Sequence, residues 1–185
     1  QVVIEEGIAQ PILIGRPSVI DVRRRRYGLR FSLDKDCEVI NPEDDPRYRA
    51  YVDLYFSKVG RKGIDPEAAR TVARTNTTVI AALAVERGDA DAMICGLGGR
   101  FIRHLRDIGQ VIGLMPGART FSALSLLINS RGSYFLTDTH VTPEPDADEI
   151  AEMTEVVSRM RGSVSAPLVF DSTELPVLEA AMKLY

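Results

Sequence analysis

Between Gly88 and Pro116 the sequence runs GDADAMICGLGGRFIRHLRDIGQVIGLMP. The apolar stretch Ala92 to Cys95 reads as a strand that enters Gly96-Leu97-Gly98-Gly99. That turn opens a helix whose first turns carry Arg100, Arg103, His104 and Arg106. The first N–H groups of a helix have no partner within it, and the helix dipole is positive at that end, so the arrangement suits an anion. Arginines beside it add planar donors that match phosphate or carboxylate. A plainer reading fits the same residues: the glycines make a tight turn and the arginines face water. His104 has two readings as well, a proton carrier near neutral pH or a hydrogen-bonded structural ring.

The bulk composition narrows the partners. The chain has 185 residues, is 45 % hydrophobic and 26 % charged, and carries a formal net charge of −3. This length fits roughly one domain or one and a half. The charge disfavours a general nucleic-acid binder, which is usually basic. The single basic run, Arg23 to Arg26, reads as a solvated helix face. No stretch reaches the ~20 apolar residues of a membrane span, and no charged-then-apolar leader opens the chain. Two cysteines, Cys37 and Cys95, cannot make a disulfide framework, and no Cys/His cluster has metal spacing. A cytoplasmic, metal-free protein is expected, without nucleic-acid or membrane partners.

Other elements must hold the glycine turn in place. QVVIEEG at the start reads as the last turns of a helix capped by Gly7, and the final residues to Tyr185 keep a helical apolar pattern, so a piece of a longer polypeptide is expected. Pro11 to Gly15 reads as a buried strand, Pro17 to Tyr27 as a helix and Cys37 to Ile40 as a second strand. Asp45-Pro46 gives a helix start, an acid at the N-cap and proline at the first helical position. That helix spaces Tyr48, Tyr51, Val52, Tyr55 and Val59 for core packing. Asp65-Pro66 repeats the signal and opens one long helix that ends at Gly88. After Pro116-Gly117, two apolar runs around Ser130-Arg131-Gly132 read as an antiparallel hairpin. A proline-rich stretch from Thr142 then leads into a helix from Asp146. Strands and helices alternate, so the class is α/β with mixed strand pairing.

Six segments carry a family resemblance: EEGIAQPILIGRP, NPEDDPRYR, ARTNTTVIAAL, GDADAMICG, HLRDIGQVIGLMPG and FLTDTHVTPEPDADEIAEM. Through them the chain from Gln1 to about Met153 resembles the phosphate acetyl/butyryltransferases. It looks most like the version fused to the C-terminal side of bacterial NADP-dependent malic enzymes. The resemblance implies a three-layer α/β/α fold of the isocitrate-dehydrogenase-like kind, incomplete in this chain, with a cleft where acyl-CoA and phosphate meet.

The family's catalytic pattern is only partly present. Working members follow the glycine loop with a Ser/Thr-rich stretch and then Leu-Arg-Pro, whose arginine helps hold phosphate or CoA. Here Leu105-Arg106 keeps the Leu-Arg pair, Asp107 stands in place of the proline, and Arg100-Phe101-Ile102-Arg103 replaces the Ser/Thr stretch. The rest of the family's catalytic set, a Ser-Arg pair and an aspartate, would lie beyond Tyr185. The resemblance therefore implies a regulatory domain that binds acetyl-CoA and does not transfer the acyl group. No cofactor is expected in this chain; NADP and a divalent metal would belong to the malic enzyme domain. A homo-oligomer is expected. Candidate acyl-CoA or phosphate contacts are Arg106, Arg103 and Arg100, with Gly96, Gly98 and Gly99, and with His140 oriented by Asp138. A turn role for His140 stays open.

From about Glu152 the resemblance changes. Asp171-Ser172-Thr173 is similar to the barrel motif of the pterin-binding domain of cobalamin-dependent methionine synthases, where the aspartate contacts the pterin. The expected division is thus 1–151, transferase-like, and 152–185, a single βα unit that cannot by itself close a barrel. Two other functional readings stay open, an active phosphate acetyltransferase and a chimeric fragment without function.

Overall fold

Proline and glycine punctuate the first part of the chain and fix where its elements begin and end. The computed structural model describes residues 1–121, 123–137 and 141. It divides into two units, Gln1–Gly113 and Leu114–Tyr185. The first opens with a short helix α1 (Val2–Glu5), closed at Gly7 in the left-handed region (φ +65°). Strand β1 (Ile12–Ile14) pairs in parallel with β2 (Glu38–Ile40), in the register Ile12 to Glu38 and Ile14 to Ile40. Helix α2 (Pro17–Arg26) connects them and has proline at its first position.

Three helices then wrap a fourth. These are α3 (Tyr48–Val59), α4 (Pro66–Thr75) and α6 (Phe101–Val111), packed on α5 (Thr77–Arg87). Helix α5 is the core element: Val79, Ile80, Ala82, Leu83 and Ala84 are all buried in it. They join Ile40 of β2, Tyr51, Tyr55 and Val59 of α3, Ala69 of α4 and Val111 of α6. A helix that is apolar on most sides must be covered on most sides, and its alanines let the neighbouring backbones approach. The aromatic stripe of α3 is therefore core, as its spacing suggests.

Three expectations need correction. The helix after Asp45-Pro46 begins only at Tyr48. The Asp45 carboxylate accepts from the backbone N–H of Arg47 at 2.8 Å and is gripped by the Arg47 guanidinium, so the acid closes a turn before the helix. The long helix from Pro66 to Gly88 is two helices, broken at Asn76. Asn76 adopts an extended conformation and its side-chain oxygen accepts from Thr78 N and Val79 N, which starts α5 afresh. Ala92 to Cys95, expected as a strand, has no ladder partner among the described residues. Met93 packs against the core while Ile94 is fully exposed. Ala92 and Cys95 are exposed as well, so only Met93 is held against the core.

The second unit contains an antiparallel hairpin, β3 (Leu124–Asn129) and β4 (Gly132–Thr137). Ser130-Arg131 make its two-residue turn, and the Asn129 side chain accepts from Arg131 N at 2.8 Å. Parallel and antiparallel pairs thus coexist in an α/β chain, as the sequence pattern indicates. No helix among the described residues is long and apolar enough to cross a membrane.

Candidate functional site

Gly88 ends α5 in the left-handed region (φ +77°), and the chain passes through the Met93 segment into Gly96-Leu97-Gly98-Gly99. Gly96 (φ +107°) and Gly99 (φ +94°) hold conformations that side chains disfavour. At Gly99 a second constraint applies, since an added Cβ would sit 3.2 Å from His104 Nε2. Arg100 then caps α6 with extended backbone and no side-chain cap. A serine or aspartate at this position would occupy the first N–H groups of the helix. Among the described residues the N–H groups of Gly99, Arg100 and Ile102 meet no acceptor.

The arginines follow the helical repeat. Arg100 is the N-cap of α6, Arg103 lies in its first turn and Arg106 in its second, each three residues from the last. All are exposed, and none meets a carboxylate among the described residues. Several arginines elsewhere are paired: Arg47 holds Asp45 and Glu38, Arg24 and Arg25 hold Asp21, and Arg87 holds Asp89.

Two neighbouring side chains of α6 are structural. His104 Nδ1 lies 2.8 Å from Thr78 Oγ1 on α5, and its Nε2 lies 2.7 Å from the Gly98 carbonyl oxygen. Asp107 accepts from Asn76 Nδ2 at 2.8 Å, which ties α6 to the break between α4 and α5. Burial, and then the Asp107 charge, raise the pKa of the Tyr55 hydroxyl and keep it neutral. Burial and a 2.9 Å hydrogen bond to Asp89 act the same way on Tyr51. No group of His, Cys, Asp or Glu among the described residues is placed to hold a metal ion.

Gly96, Gly98 and Gly99 thus lie in the loop that leads into α6, Arg100 at its cap, and Arg103 and Arg106 on its first two turns. Asp138, His140 and Asp171 lie outside the described residues, as does the boundary near 151. His104 has both ring nitrogens partnered, which matches its structural reading. Sequence reasoning missed Asn76, Thr78 and the second role of Asp107. An asparagine followed by two threonines inside an otherwise continuous helical run is an N-cap signal that marks the break.

Residues 1–165 match the phosphate acetyl/butaryl transferase family. The chain is 64 % identical over 154 residues to the NAD-dependent malic enzyme of Rhizobium meliloti, covering 83 % of this chain and 20 % of that protein. It is 46 % identical over 154 residues to the NADP-dependent malic enzyme of Haemophilus influenzae, with the same two shares. The chain thus spans about a fifth of the length of these curated relatives. A phosphotransacetylase from Streptococcus pyogenes superposes with a TM-score of 0.75 at 22 % identity, over 98 % of this chain and 59 % of that one, a likeness of fold.

Proposed function

Since the chain belongs to the phosphate acetyl/butaryl transferase family, we propose that it is the transferase-like regulatory part of a malic enzyme, binding acetyl-CoA as an allosteric effector without transferring the acetyl group. One observation carries the reading: three exposed arginines without carboxylate partners among the described residues lie at the cap and on the first two turns of α6, where the Arg100 and Ile102 N–H groups meet no acceptor. The phosphates of CoA are anions of the class such a site suits. Binding needs only these donors and an apolar wall, which Ile94, Leu97, Phe101 and Ile102 offer as exposed side chains around the loop. Acyl transfer needs more, a positioned base and donors for a developing oxyanion. The segment Arg100-Phe101-Ile102-Arg103 supplies no hydroxyl, and His104 is committed to Thr78 and Gly98.

In this reading the chain needs no cofactor of its own. A nicotinamide cofactor and a divalent metal would be held by the malic enzyme portion of the parent polypeptide, which works in the cytoplasm as a homo-oligomer. The test uses that parent. Acetyl-CoA should lower its malate-oxidising activity, Arg106→Ala should abolish the inhibition, and acetyl-CoA with phosphate should release no thiol. Steady thiol release would favour the active-transferase reading instead.

A further inference from the structure

The loop that presents the helix start is itself held by a side chain from within the helix. His104 Nε2 lies 2.7 Å from the Gly98 carbonyl oxygen, so Nε2 carries a proton and donates it. Its Nδ1 faces the hydroxyl of Thr78, which is 4 % exposed and can donate in turn. We propose that His104 is a positioning residue: fixed by Thr78 of α5, it clamps the Gly98 carbonyl and so sets the direction of the Gly99 N–H. This rests on the acetyl-CoA reading above only for what the positioned group is for.

The geometry follows from the peptide plane. In a trans peptide the carbonyl and the following N–H point in opposite directions, and the chain has no cis bond among its described residues. With the Gly98 carbonyl turned onto His104, the Gly99 N–H must point away from the ring, into the space before α6. Gly99 completes the device, since any larger residue would press on His104 Nε2 at 3.2 Å and would also resist φ +94°. The chain from Thr78 to His104 to Gly98 thus joins α5, α6 and the loop through one ring. Without it, Gly98 and Gly99 on either side, neither with a Cβ, leave this peptide free to rotate. A donor that must be ordered on binding costs affinity, and a preset one does not.

Nitrogen-15 spectra of the wild-type chain should show a proton on His104 Nε2. In His104→Ala, backbone order parameters at Gly98 to Arg100 should fall, and binding of free CoA by calorimetry should weaken tenfold or more. Gln places an amide N–H where Nε2 stands, so His104→Gln should recover part of both effects, which a loss of bulk packing would not. Protonation at Nδ1 alone overturns the proposal, and so does a His104→Ala loop as ordered as the wild type. Should His104→Ala fail to fold, the ring tautomer and the order parameters of His104→Gln decide. Should wild-type chain take up no CoA, the ligand reading falls, and the tautomer and order parameters still decide the clamp.

Discussion

At the scale of single residues, the chain separates charges that are used up from charges that are not. Asp45 belongs to the first kind. Its side chain is 6 % exposed, and the Arg47 guanidinium beside it holds its carboxyl below the usual carboxylate range. A carboxyl with a depressed folded pKa stabilises above its unfolded value of about 3.9, and that stability is lost as pH falls through the folded value. Asp45→Asn should therefore lower the urea midpoint at pH 7, and the gap to wild type should narrow as the pH drops below about 4. A gap that stays constant to low pH would show that the charge is not what matters there. Asp107 is used up too, in the bond to Asn76. Removing it as Asp107→Ala should cost about 1–3 kcal/mol of unfolding free energy, the range for stranding a partly buried partner. Arg100, Arg103 and Arg106 are of the second kind, and their substitution should leave the unfolding midpoint almost unchanged.

At the scale of elements, α5 holds the first unit together and α6 presents the site. Leu83 is 0 % exposed at the centre of α5, so Leu83→Ala should destabilise by about 2–5 kcal/mol in chemical denaturation. Gly99→Ala should instead act on the start of α6. It should disorder the first turn, seen as faster amide exchange from Arg103 to Asp107, because both φ and the His104 contact oppose a Cβ. Most of this architecture was legible in the sequence. Both parallel strands, the start of α4 at Asp65-Pro66, the Gly88 cap and the hairpin turn follow from punctuation by proline and glycine. The misreadings come from polar side chains that chose among local backbone partners, and from an expected strand that found no partner among the described residues. Asp45 chose Arg47 over the helix end. Asn76 chose a new cap inside an otherwise continuous helical run, accepting from Thr78 N and Val79 N. Ala92 to Cys95 is an apolar run, yet a strand is defined by its partner and none pairs with it among the described residues. The arginines and glycines of the site were legible because helical spacing alone brings them together. Thr78 was not, since it reaches His104 across 26 positions of sequence.

At the scale of the whole molecule, the likeness runs along nearly the entire chain while the catalytic pattern does not. Residues 1–165 match the transferase family, yet the described site keeps the anion donors and lacks the hydroxyls between Gly99 and Leu105. The proposed sensing role is consistent with this, because affinity and acyl transfer draw on different side chains. The relatives that share 64 % and 46 % identity are malic enzymes several times longer than this chain, which gives a bound effector something to regulate. The most direct test is a calorimetric titration of acetyl-CoA into the chain beside its Arg106→Ala form. The account predicts saturable binding to the wild type, weakened at least tenfold by the substitution at an unchanged unfolding midpoint. Equal affinity in the two proteins would contradict it.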